Sequence, residues 1–475
     1  MLNFLNPFSK KSAPVTLPTL LNLMKAASGP PSDENLVQFQ EELINLSQRA
    51  TEIIRRQNPG CSQVITLPSL SLKQDGISND IDWFVVGDLH GDFQSLCRIL
   101  LKIYCRPEID PNKVRIVFLG DYVDRGARPL QVIKLLLLLK TTWPENFWLL
   151  KGNHEVWQID DSGIVQSTVT PHDTLDFWTQ FFGAELFTAL CRLFDTLPVA
   201  YIQPLRPPER SKEEGSPKIL YVHGGIPRTE NLLLPLHAEE CREGFLWSDP
   251  EMEKEEVLNG PSRRFSFGRN DFFRFSRHHN IALLIRGHEL RKDGFDLHED
   301  LRGSESRIVT IFSCGGTVNE DSFYGPEILV PRFLNLVPQS LQDLPISVEE
   351  VYRDDLFVAG SLRAQNPSLF GELVACLEHK LATTEGVNFN IAFPSQLNIS
   401  SDRSNEYDLP NFRVNLSFSY GDSPDQIVYT IKMKFAAVSS SFDLIDLNPQ
   451  VTVDRIVNDI RSIYPIFGVL PKSIL

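Results

Sequence analysis

The sequence predicts a layered α/β protein that carries a second, smaller α+β domain towards its C-terminal end. Six short apolar runs between residues 83 and 312 have the length and the branched or aromatic content of buried strands. Helical stretches at 93–104 and 130–140 separate the early runs, which predicts α/β layering. After about Pro345 the pattern changes to a helical stretch and then to period-two segments. With 475 residues in the chain, two or three domains are expected.

The composition excludes several classes of protein. Hydrophobic residues make up 42% of the chain and charged residues 23%, as in ordinary globular proteins. The formal net charge of −15 provides no bulk attraction for nucleic acid or an anionic membrane. No segment approaches the roughly 20 apolar residues of a membrane span, so a soluble protein is expected. The seven cysteines are widely spaced and contain no Cys-x-x-Cys pair, which indicates a reducing compartment.

The N-terminal region is predicted to contain a leader and a long helix. Residues 1–31 lack the apolar core of a cleaved secretory signal, and we interpret them as a flexible leader. From Ser32 onward, apolar side chains recur at three- and four-residue spacing until Asn58-Pro59-Gly60. This pattern predicts an amphipathic helix that opens a catalytic domain over 32–340.

Glycine-bearing turns follow the first five of the six apolar runs. The runs are 83–86, 114–119, 147–150, 219–222, 281–285 and 308–312. The turns are Gly87-Asp88-Leu89-His90, Gly120-Asp121, Gly152-Asn153-His154, His223-Gly224-Gly225 and Arg286-Gly287-His288. Because strand carboxyl ends meet at one edge of a layered α/β sheet, these polar side chains are expected to lie together.

The residue types in these turns suit a pair of divalent metal ions. Asp, Asn and His are hard or borderline ligands, and a carboxylate can bridge ions about 3.5 to 4 Å apart. Four of the ten histidines lie in these turns, and the others are interpreted as surface or core residues. Asp88 and His90 alternate with Leu89, so both side chains can face the same ion. A single such turn would be weak support, but five in order are highly specific.

The remaining segments carry no predicted chemistry. Residues 204–217 are rich in proline and charge and are interpreted as an exposed loop insertion. In the C-terminal domain, assigned to 346–475, alternating segments at 412–420 and 427–435 predict a hairpin joined at 421–425. A third strand near 387–393 and helices near 370–381 and 453–463 are also predicted. Without a catalytic cluster, this domain is expected to serve targeting or regulation through a possible partner.

In this order, the motifs resemble those of the metallo-dependent PPP-type phosphoprotein phosphatases. The matching stretches are GDLHGD at 87–92, GDYVDRG at 120–126, GNHE at 152–155, HGG at 223–225, LWSDP at 246–250, Phe267-Gly268, and RGHE at 286–289. The likeness covers about residues 35–335. It implies a calcineurin-like metallophosphoesterase β-sandwich flanked by helices.

The resemblance also implies a role for each site residue. One metal ion would be held by Asp88, His90 and Asp121, and the other by Asp121, Asn153, His223 and His288. The pair of ions would be Mn, Fe or Zn. His154 is implied to be the general acid, oriented by Asp124. Arg125 and Asn153 would bind the substrate phosphate with a second arginine; the stretch before Phe267 is shortened, and Arg264 is favoured over Arg263.

The implied reaction is hydrolysis of a phosphomonoester by direct attack of a metal-bridging hydroxide. Phosphoserine or phosphothreonine in a phosphoprotein is the favoured substrate. Phosphotyrosine and dinucleoside polyphosphates are alternatives on the same site, and a non-catalytic scaffold is a further alternative. A cytoplasmic location is expected, with a bacterial effector delivered to a host cytosol as the alternative.

The sequence departs from the family pattern at two places. Lys151 replaces the usual arginine before the GNHE turn. Ser313-Cys314-Gly315-Gly316-Thr317 replaces a Ser-Ala-Pro-Asn-Tyr-Cys pattern, which removes a tyrosine that overhangs the metal centre. Two glycines predict a wider and more mobile rim, and weak inhibition by okadaic-acid-type and microcystin-type toxins, unless Phe323 or Tyr324 fills the missing place.

Overall fold

The computed structural model describes most of the catalytic region and a part of the C-terminal region. The described residues are 14–29, 35–60, 62–71, 81–104, 106, 109–170, 172–206, 216–298, 301, 304, 306–315, 321–324, 331–336, 346–351, 411–419 and 426–434. The strand predicted near 387–393 and the helices predicted near 370–381 and 453–463 lie outside these residues.

Helices and strands alternate along the catalytic region. The α-helices are α1 (Leu17–Ser28), α2 (Leu36–Gln57), α3 (Phe93–Tyr104), α4 (Pro129–Thr142), α5 (Asp173–Trp178), α6 (Ala184–Thr196), α7 (Glu239–Trp247) and α8 (Arg269–His279). The strands are β1 (Val64–Thr66), β2 (Leu70–Ser71), β3 (Asp82–Val86), β4 (Val114–Phe118), β5 (Phe147–Leu149), β6 (Trp157–Ile159), β7 (Val165–Ser167), β8 (Ala200–Arg206), β9 (Lys218–Val222), β10 (Asp249–Pro250), β11 (Ser266–Phe267), β12 (Ile281–Arg286), β13 (Phe295–Asp296), β14 (Arg307–Ile311), β15 (Arg332–Leu336), β16 (Ile346–Glu350), β17 (Asn411–Ser419) and β18 (Gln426–Lys434). Short 3-10 helices cover Pro111–Lys113, Asn153–Glu155 and Thr229–Asn231.

All six apolar runs that the sequence singled out form strands, namely β3, β4, β5, β9, β12 and β14. The helices predicted at 93–104 and 130–140 are α3 and α4, and the amphipathic helix predicted after Ser32 is α2. The proposed loop insertion differs at its start, because β8 continues through residue 206. Pairing with β9 from Ala200 to Pro204 explains the longer strand.

The chain divides into two units. The first comprises residues 1–15, 29–99 and 110–351, and the second comprises 16–28, 100–109 and 352–475. In the second unit, β17 and β18 pair antiparallel from Asn411 opposite Lys434 to Ser419 opposite Gln426. The predicted hairpin is therefore confirmed.

Part of the predicted flexible leader is helical. Residues 17–28 form α1, in which Leu17, Leu20, Leu21 and Met24 are buried. These apolar side chains follow three- and four-residue spacing, which favours an amphipathic helix over a flexible segment. The description of residues 1–31 as a flexible leader therefore does not apply to 17–28.

Two β-sheets pack face to face in the first unit. One has the order β16-β15-β3-β4-β5, and the other has the order β1-β8-β9-β12-β14-β13 with β2 beside β8. The core between them is built mainly of apolar side chains. Its members include Trp83, Val85, Val117, Leu119 and Trp148 from the first sheet and Tyr201, Ile219, Tyr221, Leu283, Ile285, Val309 and Ile311 from the second. The predicted β-sandwich is confirmed.

Helices cover the outer faces of the sandwich. Phe245 of α7 and Phe272 of α8 pack with Leu220 and Leu284 on the outside of the second sheet. Helix α2 packs on α4 and α6. Lys134 of α4 pairs with Glu42 of α2 at 2.8 Å. The sandwich is thus flanked by helices, as the sequence predicted.

The first sheet continues past the predicted domain boundary. Strand β16 pairs antiparallel with β15 from Arg332 opposite Glu350 to Leu336 opposite Ile346. The sequence had assigned residue 346 onward to the C-terminal domain, because the sequence pattern changes after about Pro345. The structure instead pairs 346–350 with the edge of the first sheet, and the first unit extends to Val351.

Two further findings concern membrane-spanning helices and cysteines. Within the described ranges, no helix combines the length and apolar character that crossing a membrane requires. Cys97, Cys191, Cys241 and Cys314 are buried free thiols.

Lys140 joins three elements of the first unit and offers a test of the packing around α4. Its Nζ donates to Gln57 Oε1 at 2.6 Å and to the carbonyl oxygens of Pro144 and Phe147 at 2.9 Å. Lys140→Met should cost about 3 kcal/mol of unfolding free energy in urea, because three buried acceptors lose their donor. Exposed Lys292 is the matched control, and Lys292→Met should change the unfolding free energy little.

The effect of Lys140 should depend on pH. Burial lowers the pKa of Lys140 from its ordinary 10.5 to about 7. Above pH 7 the folded protein therefore loses this proton while the unfolded chain keeps it. Wild-type stability should rise relative to Lys140→Met between about pH 7 and pH 10. A pH-independent difference between the two proteins would contradict the shifted pKa.

Candidate metal centre

The turns at the strand ends bring two groups of metal-ligating side chains together. One group is His90, Asp121 and His154, and the other is Asp121, His223 and His288. Within each group the possible ligand atoms lie within 4.8 Å of one another. Asp121 belongs to both groups, so one carboxylate faces two sets of histidines. The first sheet supplies His90, Asp121 and His154, and the second sheet supplies His223 and His288.

Asp121 lies at the centre of the cluster. Its Oδ2 is 3.4 Å from His90 Nε2 and 3.2 Å from His223 Nε2. Asp88 lies beside it, with its Oδ2 3.8 Å from His90 Nε2. Asp88 Oδ1 accepts a hydrogen bond from the backbone N–H of His288 at 2.9 Å, which ties the first sheet to the turn after β12.

In two of the histidines, the ring nitrogen that does not face the cluster lies at hydrogen-bond distance from a backbone carbonyl oxygen. His90 Nδ1 lies 2.9 Å from the carbonyl oxygen of Val123. His223 Nδ1 lies 3.0 Å from that of Leu119. A ring N–H that donates to a carbonyl leaves the other nitrogen with its lone pair directed at the centre, as a metal ligand requires.

Several buried oxygen and nitrogen atoms in the cluster have lone pairs that a cation could bind. Asp88 Oδ2 and His288 Nε2 are buried and have no hydrogen-bond partner among the described residues. The Oδ1 atom of Asn153 lies 2.8 Å from His223 Nε2, and 3.2 Å from both carboxylate oxygens of Asp121 and from His288 Nδ1. Lone pairs that converge in this way are stabilised by a cation among them. The donor set of carboxylate, imidazole and amide oxygen fits a pair of divalent ions.

The pKa values of three histidines are shifted by their burial and by the charged groups around them. Burial lowers the pKa of His90 to about 3. Burial, followed by the charges of His223 and Arg286, lowers the pKa of His288 well below its usual value. Both rings are thus neutral and have a lone pair to offer. Burial also lowers the pKa of His223, but the Asp121 carboxylate outweighs it and raises the value to about 9. A metal ion beside Asp121 would take the place of that proton.

The backbone is strained where the ligands lie. Seven non-glycine residues in the described part of the chain have positive φ, and five of them belong to the site. They are His90, Asp121, Asp124, Arg125 and His288, with φ between 41° and 70°. Left-handed conformations of this kind cost of order 1 kcal/mol each and persist where the surrounding structure holds them. The fold thus stabilises turn geometries that aim these side chains inward.

Two glycines allow the turns after β4 and β5 to touch. Gly120 has φ of 101°, and a Cβ on it would lie 2.3 Å from the backbone nitrogen of Gly152. A Cβ on Gly152 would lie 2.2 Å from Asp121 Oδ1. A larger residue at either position would force Asp121 away from Asn153, so the glycines set the spacing of the ligands.

Glu155 anchors the turn that carries Asp121. This buried carboxylate accepts hydrogen bonds from the backbone N–H groups of Asp121 and Tyr122 at 2.8 Å and of Gly152 at 2.9 Å. The sequence included Glu155 in a motif but gave it no role. With the Val123 N–H at 3.3 Å, four backbone donors on one side chain fix the two turns relative to each other.

His154 is held by Asp124, as the resemblance implied. His154 Nδ1 lies 2.7 Å from Asp124 Oδ2, and both side chains are buried. Thr174 at the start of α5 fixes Asp124, because its backbone N–H donates to Asp124 Oδ1 at 2.9 Å and its hydroxyl accepts from the Asp124 N–H at 2.8 Å. Burial lowers the pKa of His154, but the charges of Asp121 and Asp124 and the bond to Asp124 raise it overall.

Two arginines lie at the cluster with different support. Arg125 has a buried Nε without a hydrogen-bond partner among the described residues. Arg264 Nε is bound by Asp249 Oδ2 at 2.7 Å, and Asp249 Oδ1 lies 3.9 Å from His288 Nε2. These contacts link Arg264 to the metal cluster through Asp249, although Arg263 and Arg264 are both exposed. Sequence reasoning gave Asp249 no role, although it lies in the matching LWSDP stretch.

Tyr324 supplies an aromatic ring at the rim that the glycine-containing segment lacks. Its ring centroid lies 5.5 Å from that of His90, and the Arg125 guanidinium carbon lies 5.7 Å from it. Asp321, three residues earlier, pairs with Arg128 Nε at 3.0 Å and holds this segment beside the Arg125 turn. This is the alternative that the sequence left open, in which Tyr324 fills the place of the missing tyrosine, and it favours toxin binding over the weak inhibition expected for an open rim. Phe323 is two-thirds exposed.

Comparisons with known proteins find phosphatases similar to this chain. Residues 84–292 match the family described as Calcineurin-like phosphoesterase. A serine/threonine-protein phosphatase of Candida albicans is 30% identical over 239 residues, which are 48% of this chain and 68% of that protein. A serine/threonine-protein phosphatase of Caenorhabditis elegans is 28% identical over 341 residues, 67% of each chain. The solved structure of a Saccharomyces cerevisiae protein serine/threonine phosphatase, similar to human phosphatase PP5, has 22% identity and a TM-score of 0.46; the match covers 66% of this chain and 89% of that one.

Proposed function

Because this chain belongs to the PPP-type phosphoprotein phosphatase family, we propose that it hydrolyses phosphoserine and phosphothreonine in protein substrates with two divalent metal ions. The observation that supports this proposal most directly is the position of Asp121. Its carboxylate is shared by two groups of histidines, and the His154–Asp124 pair lies beside it. A shared carboxylate is what a two-metal hydrolase needs.

The proposed ligands divide between two ions. Asp88, His90 and Asp121 would hold one, and Asp121, Asn153, His223 and His288 would hold the other. When bound, the ions would be Mn, Fe or Zn and would supply Lewis-acid neutralisation of phosphoryl charge and a water of lowered pKa. The opposing pKa shifts of His90 and His223 and the unpartnered Asp88 Oδ2 support this assignment.

The chain's own residues would bind and orient the phosphoryl group. Arg125 is proposed to direct its unpaired Nε at a phosphate oxygen, and Arg264, fixed by Asp249, is proposed to bind a second one. Asn153 would contribute its carboxamide. A planar guanidinium donates two parallel hydrogen bonds to a phosphate, which orients the group as well as neutralising it.

His154 is proposed to hold the proton that the leaving oxygen receives. Its Nδ1 is engaged by Asp124, so the transferable proton lies on Nε2, which is 4.0 Å from Asp121 Oδ2. The charges of Asp121 and Asp124 raise the pKa of His154 despite its burial, which favours the protonated form that a general acid needs. The complete set of ligands and the His154–Asp124 pair argue against a non-catalytic scaffold.

The experiment compares substrates and metals. The purified full chain is assayed on matched peptides that carry phosphoserine, phosphothreonine or phosphotyrosine, and on a dinucleoside polyphosphate, before and after treatment with a chelator. Metal-dependent turnover with preference for the phosphoserine and phosphothreonine peptides is expected. Preference for phosphotyrosine or the dinucleotide would change the substrate, and full activity in metal-free protein would overturn the mechanism.

The region after Val351 is proposed to serve targeting or regulation through a partner protein. All of the proposed ligands and phosphate-binding residues lie in the first unit, and the second unit contains the β17–β18 hairpin. A role outside the chemistry is consistent with this division.

A further inference from the structure

Arg228 contacts the loop that carries Arg264 at several points. It follows the His223-Gly224-Gly225 turn closely, and its Nη1 donates to the carbonyl oxygen of Gly260 at 3.2 Å. Its Nη2 donates to the carbonyl oxygen of Ser262. The guanidinium carbon lies 4.2 Å from the centroid of the Phe265 ring. One side chain thus holds backbone before Arg264 and a ring directly after it.

The other contacts of Arg228 fix its own position. Its Nε lies 3.4 Å from Glu243 Oε2 on α7, and its side chain is 21% exposed. Helix α7 packs on the second sheet through Phe245, so the backbone that carries Glu243 is held against the sheet. The planar guanidinium can stack on a ring and donate two bonds at its edge at the same time, which a lysine ammonium cannot do.

Asn259 joins the two ends of the same loop, which spans residues 259–266, by binding Ser266. Its Nδ2 donates to the carbonyl oxygen of Ser266 and its Oδ1 accepts from the Ser266 N–H at 3.0 Å. The residues between the two are largely exposed, and the Arg264 side chain is 57% exposed. An exposed loop has about 1–2 kcal/mol of backbone entropy to lose per residue, so its order depends on such contacts.

We propose that Arg228 is a positioning residue that holds Arg264 in place for the substrate phosphate. This inference rests on the proposed function, because it takes Arg264 as a phosphate-binding residue. Asp249 orients the guanidinium of Arg264, and Arg228 fixes the backbone from which that side chain extends. Both contacts are needed, because a side chain on a mobile loop pays an ordering cost each time a phosphate binds.

The test is a double-mutant cycle on the full, metal-loaded chain. Arg228→Met, Arg264→Met and the double variant are compared with wild type for the inhibition constant of inorganic phosphate and for kcat and KM on a phosphoserine peptide. Arg228→Met should weaken phosphate binding about tenfold, as should Arg264→Met. On the phosphoserine peptide, the change in KM should exceed the change in kcat. The double variant should be no weaker than Arg264→Met alone, because Arg228 acts through Arg264.

Two further variants separate positioning from charge and from folding. Arg228→Lys keeps the charge but loses the fork and the stacking, and should retain most of the tenfold loss. Asn259→Ala removes the two hydrogen bonds to Ser266 that join the ends of the loop. It should weaken phosphate binding in the wild-type background but not in the Arg264→Met background. Arg115 is the matched control, because it also donates to two backbone carbonyls, at the opposite end of β4 from the site. Arg115→Met should leave the phosphate constant unchanged.

The results that would overturn the inference are distinct from failure of the proposed function. If Arg228→Met or Asn259→Ala weakens phosphate equally in wild type and in Arg264→Met, Arg228 does not act through Arg264. If Arg264→Met leaves phosphate binding unchanged while chelation abolishes turnover, the phosphatase proposal stands and the inference fails. Loss of the proposed function itself would appear as turnover that does not depend on metal.

Discussion

Asp121→Asn is expected to lower kcat/KM at least a thousandfold. The substitution preserves the size of the side chain but removes the charge that two groups of histidines share, at 3.4 Å from His90 Nε2 and 3.2 Å from His223 Nε2. A neutral amide oxygen is a weaker ligand for divalent cations than a carboxylate oxygen and does not offset their charge. A loss of about 4 kcal/mol of transition-state stabilisation corresponds to a factor of a thousand.

Metal content provides a second measurement on the same variant. Wild type should contain about two ions per chain, and Asp121→Asn should contain fewer, as measured by elemental analysis alongside kinetics. Asp176 on α5 is the matched control, because its carboxylate is 65% exposed and pairs only with His172 among the described residues. Asp176→Asn should change neither quantity. An Asp121→Asn protein that retains two ions and full activity would contradict the bridging role.

The positions of the proposed metal ligands could be predicted, because each ligand lies in a turn that directly follows a recognisable strand in the sequence. Each turn directly follows a strand whose apolar residues form a continuous run, so the turn lies at a strand end wherever the strand is placed in the sheet. Asp121 after β4 and His223 after β9 illustrate this, since the two strands belong to different sheets that pack face to face. The structure then brings both strand ends to the same edge of the sandwich.

Some elements were not predicted because their signals are weak or mixed. Strand β15 contains Arg332 and Asn335, and its order depends on pairing with β3 and β16 on either side. Strand β16 was assigned to the following domain, because the sequence pattern changes after about Pro345 and the pairing of β16 with β15 depends on the packed sheet. Helix α1 was missed because the whole of residues 1–31 was judged on composition, whereas its apolar spacing is confined to 17–28.

The supporting residues of the site were beyond sequence reasoning for a different reason. Thr174 holds Asp124 across 50 residues of sequence, and no spacing rule connects the two. Asp249 binds Arg264 across 15 residues, and this contact distinguishes Arg264 from its neighbour Arg263. Tyr324 reaches His90 because Asp321 attaches its segment to Arg128. Long-range contacts of this kind follow from the packed fold and not from a motif.

His154→Ala is expected to slow phosphoserine peptides by a factor of about 10² to 10⁴ and to slow p-nitrophenyl phosphate far less. A serine alkoxide is a strongly basic leaving group that needs a proton as the bond breaks, whereas p-nitrophenolate leaves readily without one. The geometry suits this task, because Asp124 Oδ2 lies 2.7 Å from His154 Nδ1 and leaves the proton on Nε2. Asp121 and Asp124 outweigh burial and keep the pKa of that imidazolium raised.

The measurement that isolates this role is the dependence of rate on the leaving group. Across a series of aryl and alkyl phosphates, the rate of His154→Ala should fall more steeply than that of wild type as the leaving group becomes more basic, because the variant has no proton to donate. Exposed His237 is the matched control, and His237→Ala should follow the wild-type dependence. Parallel losses on every substrate in His154→Ala would assign the histidine to ligand support, since its Nε2 also lies 4.0 Å from Asp121 Oδ2, and would remove it from proton transfer.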